Sequence, residues 1–306
     1  MAYGIKNISM KTSFIIASLD RDEELQECIA SIERACDGTK NVDVEILVVF
    51  QGVEKNKDIV TRHPELTTFY YIKEKGLSVA RNFAIKKSAG EYLVFIDDDA
   101  AVKEDFLEVL FKSIQDVHAN AFCGKIVDPA GQVPFTRLFY NENRKSLSRF
   151  DFSYFMGSAH VLSRSVIEKT GGFDEEFGAG GKYPAAEESD MFFRLKRQGE
   201  KVFYLPELVF YHPINTVTSD IKCFNYSYAI GAVLAKQMFL DKRCLFAYLF
   251  IISEIILKTS IRTVQTVWFP KSIGIKNERF RYRSVLTGTI KGVCDYIKRR
   301  WIKSYR

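Results

Sequence analysis

The chain has 306 residues, 47% hydrophobic and 27% charged, a composition typical of globular proteins and long enough for one large domain plus an extension. Its net charge of +6 is unevenly distributed. Residues 1–214 carry 27 Lys and Arg against 33 Asp and Glu, a net charge of −6, whereas residues 215–306 carry 17 against 5, a net charge of +12. The opposite net charges predict that the two parts bind different partners. No nucleic-acid-binding motif appears, so we expect no nucleic-acid partner.

The cysteines and the N-terminus indicate the compartment. The six cysteines form no CxxC pair, which predicts reduced thiols in a cytoplasmic protein. The apolar run near the N-terminus is too short for a signal peptide and fits a first strand better. We therefore expect a protein that is not exported.

The first part of the chain alternates strand and helix patterns. Apolar runs at 14–17, 44–50 and 68–72 predict buried strands. A helix follows the first of them, with apolar residues at helical spacing at Leu25, Cys28, Ile29 and Ile32. Short connections between alternating strands and helices predict an α/β fold with a mostly parallel sheet and helices on both faces.

An unbroken apolar strand at 92–96 is followed by Asp97, Asp98 and Asp99. The lack of alternation predicts a central strand, and ligands of such sheets bind at the carboxyl ends of the strands. Two carboxylates ~4 Å apart repel by about 4 kcal/mol at an effective dielectric of ~20, so we expect a cation here. Oxygen ligands favour Mg²⁺ or Mn²⁺. The alternative is a solvated turn that caps a helix starting near Lys103.

The helix predicted at 76–89 adds a second ligand signal. Ser78 is its predicted N-cap, and Arg81 lies in the first turn, off the apolar face. Gly76 allows close approach of the backbone, and a helix N-terminus bearing an Arg favours anions. An anion site close in sequence to a metal site indicates a nucleotide diphosphate bridged by a metal.

The middle of the chain continues the pattern. We expect, in order, a helix at 106–114, a strand at 121–127, an irregular polar loop at 129–152, a strand at 154–162, a helix at 164–170, a helix that opens with acids and is closed by Gly199, and a strand ending before Pro206.

Several segments resemble the family-2 glycosyltransferases of the GT-A fold, over about the first two thirds of the chain. FIIASLDR is similar to the family's first-strand nucleotide loop, GLSVARN to its GLSxARN motif and FIDDDA to its DxD region. GGFDEEFG and EESDMFFRLKRQG are similar to its acceptor and base segments. The resemblance implies a GT-A sheet flanked by helices and an inverting sugar transfer from a nucleotide-activated donor.

The resemblance also implies roles for individual residues. Asp99 matches the metal-binding aspartate, Asp97 the aspartate near ribose and sugar, Arg81 the arginine near the nucleotide, and Glu188 the general base. The other matching positions are Ser18, Asp20 and Asp98 on the donor side, and Asp174, Glu187 and Asp190 on the acceptor side.

Two further positions have alternative interpretations. His212 follows the last predicted strand, where many GT-A enzymes place a late metal ligand, although a surface imidazole is the alternative. After the second strand the family commonly has Asp-Asp-Gly-Ser or Asp-Asn-Gly-Ser, and here the chain has Phe50-Gln51-Gly52-Val53. The absent aspartate usually helps to read the nucleobase. Gln51 could hydrogen-bond the edge of the nucleobase instead, so the sequence does not identify the nucleobase of the donor.

The chemistry supports the same assignment. Inversion needs a carboxylate opposite the leaving diphosphate to accept the proton of the acceptor hydroxyl, and a metal to absorb charge on the leaving group. Glu187, Glu188 and Asp190 crowd the first turn of one predicted helix. The alternative is that they only complement the helix dipole, an effect of about 0.3–1 kcal/mol each.

The basic region at 215–306 predicts helices at a membrane surface. The apolar run CLFAYLFII is broken by Ser253 and Glu254, short of the ~20 residues that a spanning helix needs. Near the C-terminus an apolar stripe with basic residues beside it can lie in an anionic membrane surface. The stripe consists of Leu286, Ile290, Val293, Ile297 and Trp301. The alternative is a helix packed on the catalytic domain with a solvated basic face.

We therefore expect a GT-A catalytic domain at 1–214 and a membrane-associating helical region at 215–306. The enzyme would add a sugar from a nucleotide-diphosphate donor to a glycan, in particular a lipid-linked one, at the inner face of the cell membrane, with a divalent metal. The first alternative is an inactive glycan-binding or scaffold subunit. The second is a sugar nucleotidyltransferase, whose Gly-rich N-terminal signature is absent from residues 12–25.

Overall fold

The computed structural model describes residues 10–52, 59–157, 159–213, 219–268 and 278–304. They belong to two units, which we call the sheet unit (Met1–Phe173 and Arg194–Ile214) and the helical unit (Asp174–Phe193 and Asn215–Arg306). Residues 174–193, expected in the catalytic domain, thus group with the C-terminal helices. The functional division at residue 214 stays a prediction.

A nine-stranded sheet forms the core of the sheet unit. Its strands are β1 (Lys11–Ser18), β2 (Asp43–Gln51), β3 (Thr67–Ile72), β4 (Tyr92–Asp97), β5 (Ala101–Val102), β6 (Ala121–Val127), β7 (Lys145–Ser146), β8 (His160–Ser163) and β9 (Val202–Tyr211). Their order is β3-β2-β1-β4-β8-β6-β9-β5, and β7 pairs with β9.

The sheet is mostly parallel, as predicted. β1, β2, β3 and β4 pair in parallel, as do β6 and β9, whereas β8 runs antiparallel to β4 and β6. β4 has a neighbour on each side, and its residues 93–96 are buried. The unbroken apolar run therefore did identify a central strand.

Five helices belong wholly or partly to the sheet unit. They are α1 (Asp22–Asp37), α2 (Leu77–Lys87), α3 (Phe106–Val117), α4 (Arg164–Thr170) and α5 (Glu187–Arg197), whose residues 187–193 belong to the helical unit. α1 buries the predicted apolar face. α3 begins at Phe106 with Asp105 as its N-cap, and not near Lys103.

The predicted N-cap of α2 is wrong. Gly76 caps this helix with φ of 151°, and Ser78 is buried inside its first turn. A side chain at that backbone angle is strained, so glycine rather than a hydroxyl residue sets the start of the helix.

Two predicted strands have different bounds. Among the described residues of the stretch predicted at 154–162, only those of β8 are extended, and the stretch begins with the end of a 3₁₀ helix at Arg149–Tyr154. The last strand does not end before Pro206. β9 continues through it, and its register against β6 shifts between Gly124 and Lys125. A bulge tolerates proline, because the missing N–H is not needed there.

The polar stretch at 129–152 also contains regular structure. β7 and a 3₁₀ helix at Arg137–Tyr140 lie within it. Phe139 is buried, with its ring centroid 5.8 Å from that of Tyr204 on β9. Aromatic packing therefore holds part of this stretch on the sheet.

The helical unit contains α6 (Asp220–Leu240), α7 (Leu245–Trp268) and α8 (Glu278–Ser304), which contact one another pairwise. α6 and α8 approach very closely, since a Cβ on Gly292 would lie 2.0 Å from the carbonyl oxygen of Tyr228. α7 has 24 residues and continues through Ser253 and Glu254. The helix is therefore longer than the apolar run on which the prediction was based, and the expectation that it does not span a membrane stays a prediction. Among the described residues, Lys242–Gln265 could cross a membrane by length and composition, a test that core helices of soluble proteins also pass.

Candidate active site

The three aspartates lie where β4 ends, beside β1. Asp97 is the last residue of β4 and pairs with Ala17 in the parallel ladder. Ser18, at the end of β1, donates its hydroxyl to Asp98 Oδ2 at 2.8 Å. Asp98 is buried. The parallel pairing of the two strands thus brings residues of two predicted motifs together.

Arg21 supplies a cation to these carboxylates. It lies between β1 and α1, and its Nη1 contacts Asp98 Oδ1 at 3.1 Å and Asp99 Oδ2 more closely. Burial raises the pKa of Asp98 to about 6, although the Ser18 hydrogen bond and the charge of Arg21 oppose that shift. The sequence predicted a cation but not this one. The available signal was its place in the nucleotide-loop segment FIIASLDR.

His212 adds a nitrogen to the group. Its Nδ1 lies 2.8 Å from the carbonyl oxygen of Pro213, which can only accept, so Nδ1 is the protonated nitrogen of the neutral ring. Its Nε2 faces Asp99 Oδ1 at 3.3 Å. Burial alone would lower the pKa of His212, but the hydrogen bond and charge of Asp99 outweigh it and raise that pKa. Burial alone would raise the pKa of Asp99, but His212 and Arg21 outweigh it and lower that pKa.

These side chains can hold a metal ion. Asp97, Asp99 and His212 each offer one ligand atom, and the three atoms lie within 4.8 Å of one another. Two carboxylate oxygens and one imidazole nitrogen form a mixed donor set, which fits Mn²⁺ better than Mg²⁺. Asp97, Asp98, Asp99, Arg21 and His212 are called the aspartate cluster below.

Arg81 is buried next to Asp97. Its side chain is 1% exposed, and its Nη2 donates to Asp97 Oδ1 at 2.9 Å and to the carbonyl oxygen of Gly157 at 3.1 Å. The guanidinium carbon also lies 5.4 Å from the centroid of the Phe173 ring. Arg81 thus orients Asp97, and its direct contact with a nucleotide stays a prediction.

The remaining donor-side candidates lie on neighbouring elements. Gln51 ends β2, and its Oε1 accepts the N–H of Gly76 at 2.7 Å. Any contact of Gln51 with a base would therefore use its amide hydrogens. Asp20 is exposed in the turn between β1 and α1.

The acceptor-side candidates belong to the helical unit. In the first turn of α5, Glu187 and Asp190 are buried and Glu188 is half-buried. Asp190 and Asp174 converge on Lys236 of α6, whose Nζ lies 2.6 Å from a carboxylate oxygen of each. Asp190 is thereby committed to an ion pair, which leaves Glu188 as the more accessible acid.

Lys236 was not predicted. Its signal was a single lysine after the apolar run Ala229–Ala235 on a long helix, an unusual place for a charge without a partner. Gln237 Nε2 also donates to Asp190 Oδ1, at 3.0 Å. Asp174, Asp190, Lys236 and Gln237 are called the Lys236 cluster below.

The backbone before α5 is strained. Ala186 has φ of 67°, in the left-handed region. For a residue other than glycine such a conformation costs roughly 1–3 kcal/mol, and it persists only where the surroundings impose it. The strain lies immediately before Glu187 and Glu188, the predicted base segment.

The sequence profile of Glycosyl transferase family 2 matches residues 13–171, more than half of the chain. The chain belongs to glycosyl transferase family 2. The matched residues contain the aspartates at the end of β4, Ser18 and Arg21. The family predicted from the sequence motifs is confirmed.

Curated relatives of this family-2 member are distant. The poly(ribitol-phosphate) β-N-acetylglucosaminyltransferase TarP of Staphylococcus aureus (strain N315) is 25% identical over 167 residues, 52% of this chain and 50% of TarP. The poly(ribitol-phosphate) β-glucosyltransferase of Bacillus spizizenii is 22% identical over 242 residues, 70% of this chain and 37% of that protein. The chain thus spans half or less of the length of these relatives.

Solved structures confirm the predicted fold. The mannosyltransferase PcManGT from Pyrobaculum calidifontis, in complex with GDP-Man and Mn²⁺, matches with a TM-score of 0.63 at 15% identity, covering 94% of this chain and 88% of that one. S. aureus TarS 1–349 in complex with UDP-GlcNAc matches with a TM-score of 0.58 at 13% identity, covering 93% and 82%. At these identities the likeness shows the GT-A fold.

Proposed function

We propose that this protein is an inverting glycosyltransferase that moves a sugar from a nucleotide-diphosphate sugar to a hydroxyl of a glycan acceptor in polysaccharide biosynthesis. The observation that carries the proposal is the convergence of Asp97, Asp99 and His212 at the carboxyl end of the central strand of a family-2 chain. Carboxylates gathered at that edge of a parallel sheet suit a metal-bound phosphate ligand.

The aspartate cluster is the proposed donor site. A divalent cation held by Asp97, Asp99 and His212 would supply positive charge to the diphosphate as it leaves. Arg21 is half exposed beside the same carboxylates, so its guanidinium can exchange a carboxylate oxygen for a phosphate oxygen. PcManGT was solved with GDP-Man and Mn²⁺ and TarS with UDP-GlcNAc, which supports this class of donor.

Glu188 is the proposed general base. It accepts the proton of the acceptor hydroxyl while that oxygen forms a bond to the anomeric carbon of the sugar. The bond between this carbon and the phosphate oxygen breaks, and the nucleotide diphosphate leaves with the electron pair. Glu188 is half-buried whereas Asp190 is fully buried and paired with Lys236, which favours Glu188 for this role.

The proposed acceptor is a cell-surface glycan, in particular a lipid-linked one, at the inner face of the cell membrane. Two relatives are named as glycosyltransferases of poly(ribitol-phosphate), which supports a polymeric acceptor. Attachment to an anionic membrane surface would bring the enzyme to such a substrate.

α7 provides the apolar surface for that attachment. Phe246, Phe250 and Leu257 share one face of the helix and are 84%, 57% and 61% exposed. Lys258 and Arg262 are exposed on the same helix. A helix with exposed aromatic and aliphatic side chains and neighbouring basic groups fits an anionic lipid interface. On α8, Trp301 and Ile290 of the predicted stripe are exposed as well.

A donor panel tests the proposal. Thermal unfolding is measured with UDP-GlcNAc, UDP-glucose, GDP-mannose and TDP-glucose in Mn²⁺, and release of the nucleotide diphosphate is then followed with poly(ribitol phosphate) and lipid-linked glycans as acceptors. A donor at ~100 times its dissociation constant should stabilise the protein by about 2.7 kcal/mol. Binding and acceptor-dependent release by one donor would support the transferase. Failure of every donor to bind would contradict it, and binding without release would favour the inactive glycan-binding subunit.

A further inference from the structure

The helical unit buries a lysine between two aspartates of the predicted acceptor segment. The Lys236 side chain is 9% exposed, and its Nζ donates to Asp174 Oδ2 and Asp190 Oδ1, each at 2.6 Å. Asp190 is completely buried, and Gln237 donates a further hydrogen bond to it. Removing one partner of a buried ion pair leaves an uncompensated charge, so these groups are tightly interdependent.

The cluster lies next to the segment that carries the proposed base. Asp190 follows Glu188 by two residues in the first turn of α5, and its N–H donates to the carbonyl oxygen of Ala186 at 3.0 Å. Ala186 has the left-handed backbone described above. A strained conformation needs external contacts to hold it, and the ion pair of Asp190 with α6 is such a contact.

A second contact joins the C-terminal helices to the same segment. Arg299 of α8 donates to Glu176 Oε1 at 2.9 Å. The ring of Tyr183 lies 5.5 Å from that of Tyr228 on α6 and 6.3 Å from that of Tyr296 on α8. Residues 174–193 are therefore held by α6 and α8 at several separate points.

We propose that Lys236 is a positioning residue for the transfer reaction. By holding Asp174 and Asp190 together it fixes the backbone from which Glu188 extends. The C-terminal helices would thus complete the acceptor side of the enzyme, beyond any role in membrane attachment. This inference rests on the proposed role of Glu188 as general base.

The test separates positioning from simple stabilisation. Lys236→Met alone buries an unpaired carboxylate and can fail to fold, so the variant of choice is Lys236→Met/Asp190→Leu, which replaces the buried pair by apolar groups of similar size. The matched control is Lys169→Met, which removes a lysine whose side chain is 53% exposed from its pair with Glu200 in the sheet unit. Measurements are the unfolding temperature, deuterium exchange of peptides covering residues 174–193, and kcat and donor KM with the donor that binds in the panel and poly(ribitol phosphate) as acceptor.

In the double variant we expect an unfolding temperature within a few degrees of the parent, at least about tenfold faster exchange around Glu188, at least about tenfold lower kcat and an unchanged donor KM. The control should match the parent in all four. Faster exchange with unchanged kcat would overturn the proposal, because Lys236 would then be structural only. Unchanged exchange would overturn it even if no donor is turned over, which distinguishes its failure from failure of the proposed transferase activity.

Discussion

The two carboxylate clusters of this protein differ in how their charge is compensated. In the aspartate cluster the arginine partner, Arg21, has a side chain 52% exposed, whereas in the Lys236 cluster the lysine side chain is 9% exposed. An exposed cation can leave its carboxylates when a ligand arrives, because water replaces the lost contact. A buried one cannot leave without exposing an unpaired charge to a low dielectric. The first arrangement therefore suits ligand exchange and the second suits a fixed scaffold.

The largest effect should follow from removing the proposed base beside the fixed cluster. Glu188→Gln should lower transfer by roughly 10²–10⁴-fold while leaving donor affinity intact, because only proton acceptance is lost. Turnover of the acceptor and calorimetric binding of the donor are both measured, since a change in binding would imitate a change in chemistry.

Glu187→Gln is the matched control for Glu188→Gln. If Glu187 only complements the N-terminus of α5, its replacement should cost a fraction of a kcal/mol in stability and little rate. Turnover of Glu188→Gln within about tenfold of the parent, only ~1.4 kcal/mol of barrier, would show that the base is another residue. Asp174 would then be the stronger candidate, because its side chain is 29% exposed and that of Asp190 is fully buried.

A smaller effect is expected at the proposed membrane surface. Phe246→Ser/Phe250→Ser/Leu257→Ser should weaken binding to anionic liposomes about 100-fold or more, since a fully buried Leu or Phe contributes about 1.5–3 kcal/mol and three partly inserted side chains are lost. Co-sedimentation at low and high salt is the measurement. Val60→Ser, at a residue 71% exposed in the sheet unit, is the control. Unchanged binding to the liposomes would contradict attachment through α7 and would favour attachment through α8.

The smallest effect concerns a buried imidazole that has no carboxylate partner within the described part of the chain. His160 is fully buried, with its ring centroid 5.0 Å from that of Phe95 and 4.9 Å from that of Phe155. Burial lowers its pKa well below the ordinary value, and the charge of Arg81 adds to that shift. Below its pKa of ~6.5 in the unfolded chain, His160 binds a proton there, whereas in the folded protein it stays neutral. Stability is therefore unaffected above pH ~6.5 and falls by up to about 1.4 kcal/mol per pH unit below it.

Urea unfolding of the parent and of His160→Met at pH 7, 6 and 5 measures this contribution. The difference in unfolding free energy between the two proteins should shift by about 1.2 kcal/mol from pH 6 to pH 5, in favour of the variant. A pH-independent difference would mean that His160 becomes protonated in the folded state.

Much of the donor side could be predicted from the sequence because the relevant signals are local. A strand buried on both faces has no polar alternation, so the run at 92–96 identified the central strand and the edge where Asp97, Asp98 and Asp99 lie. The local predictions that were wrong, a helix cap and the end of a strand, depended on backbone geometry. The cap at Gly76 and the passage of β9 through Pro206 follow from a positive φ and a bulge, which residue patterns do not encode.

The long-range partners were missed for a different reason. Arg21 and Lys236 meet carboxylates more than forty residues away in sequence, and a single charged residue gives no sign of such a pairing. Lys236 lies next to an apolar run, which marks it as unusual but does not name Asp174 or Asp190 as its partners. Contacts made by folding are therefore the part of the site that the sequence alone left open.

The central claim is that the aspartate cluster binds a nucleotide-diphosphate sugar through a divalent metal. Calorimetry of the best donor from the panel, on the parent protein and on Asp99→Asn, in Mn²⁺ and in EDTA, tests it most directly. We predict that the parent binds in Mn²⁺ and loses at least about 100-fold in affinity in EDTA, because Arg21 alone does not balance the charge of several carboxylates and two phosphates. Asp99→Asn should bind weakly in both conditions. Equal affinity of the parent in Mn²⁺ and in EDTA would contradict the account.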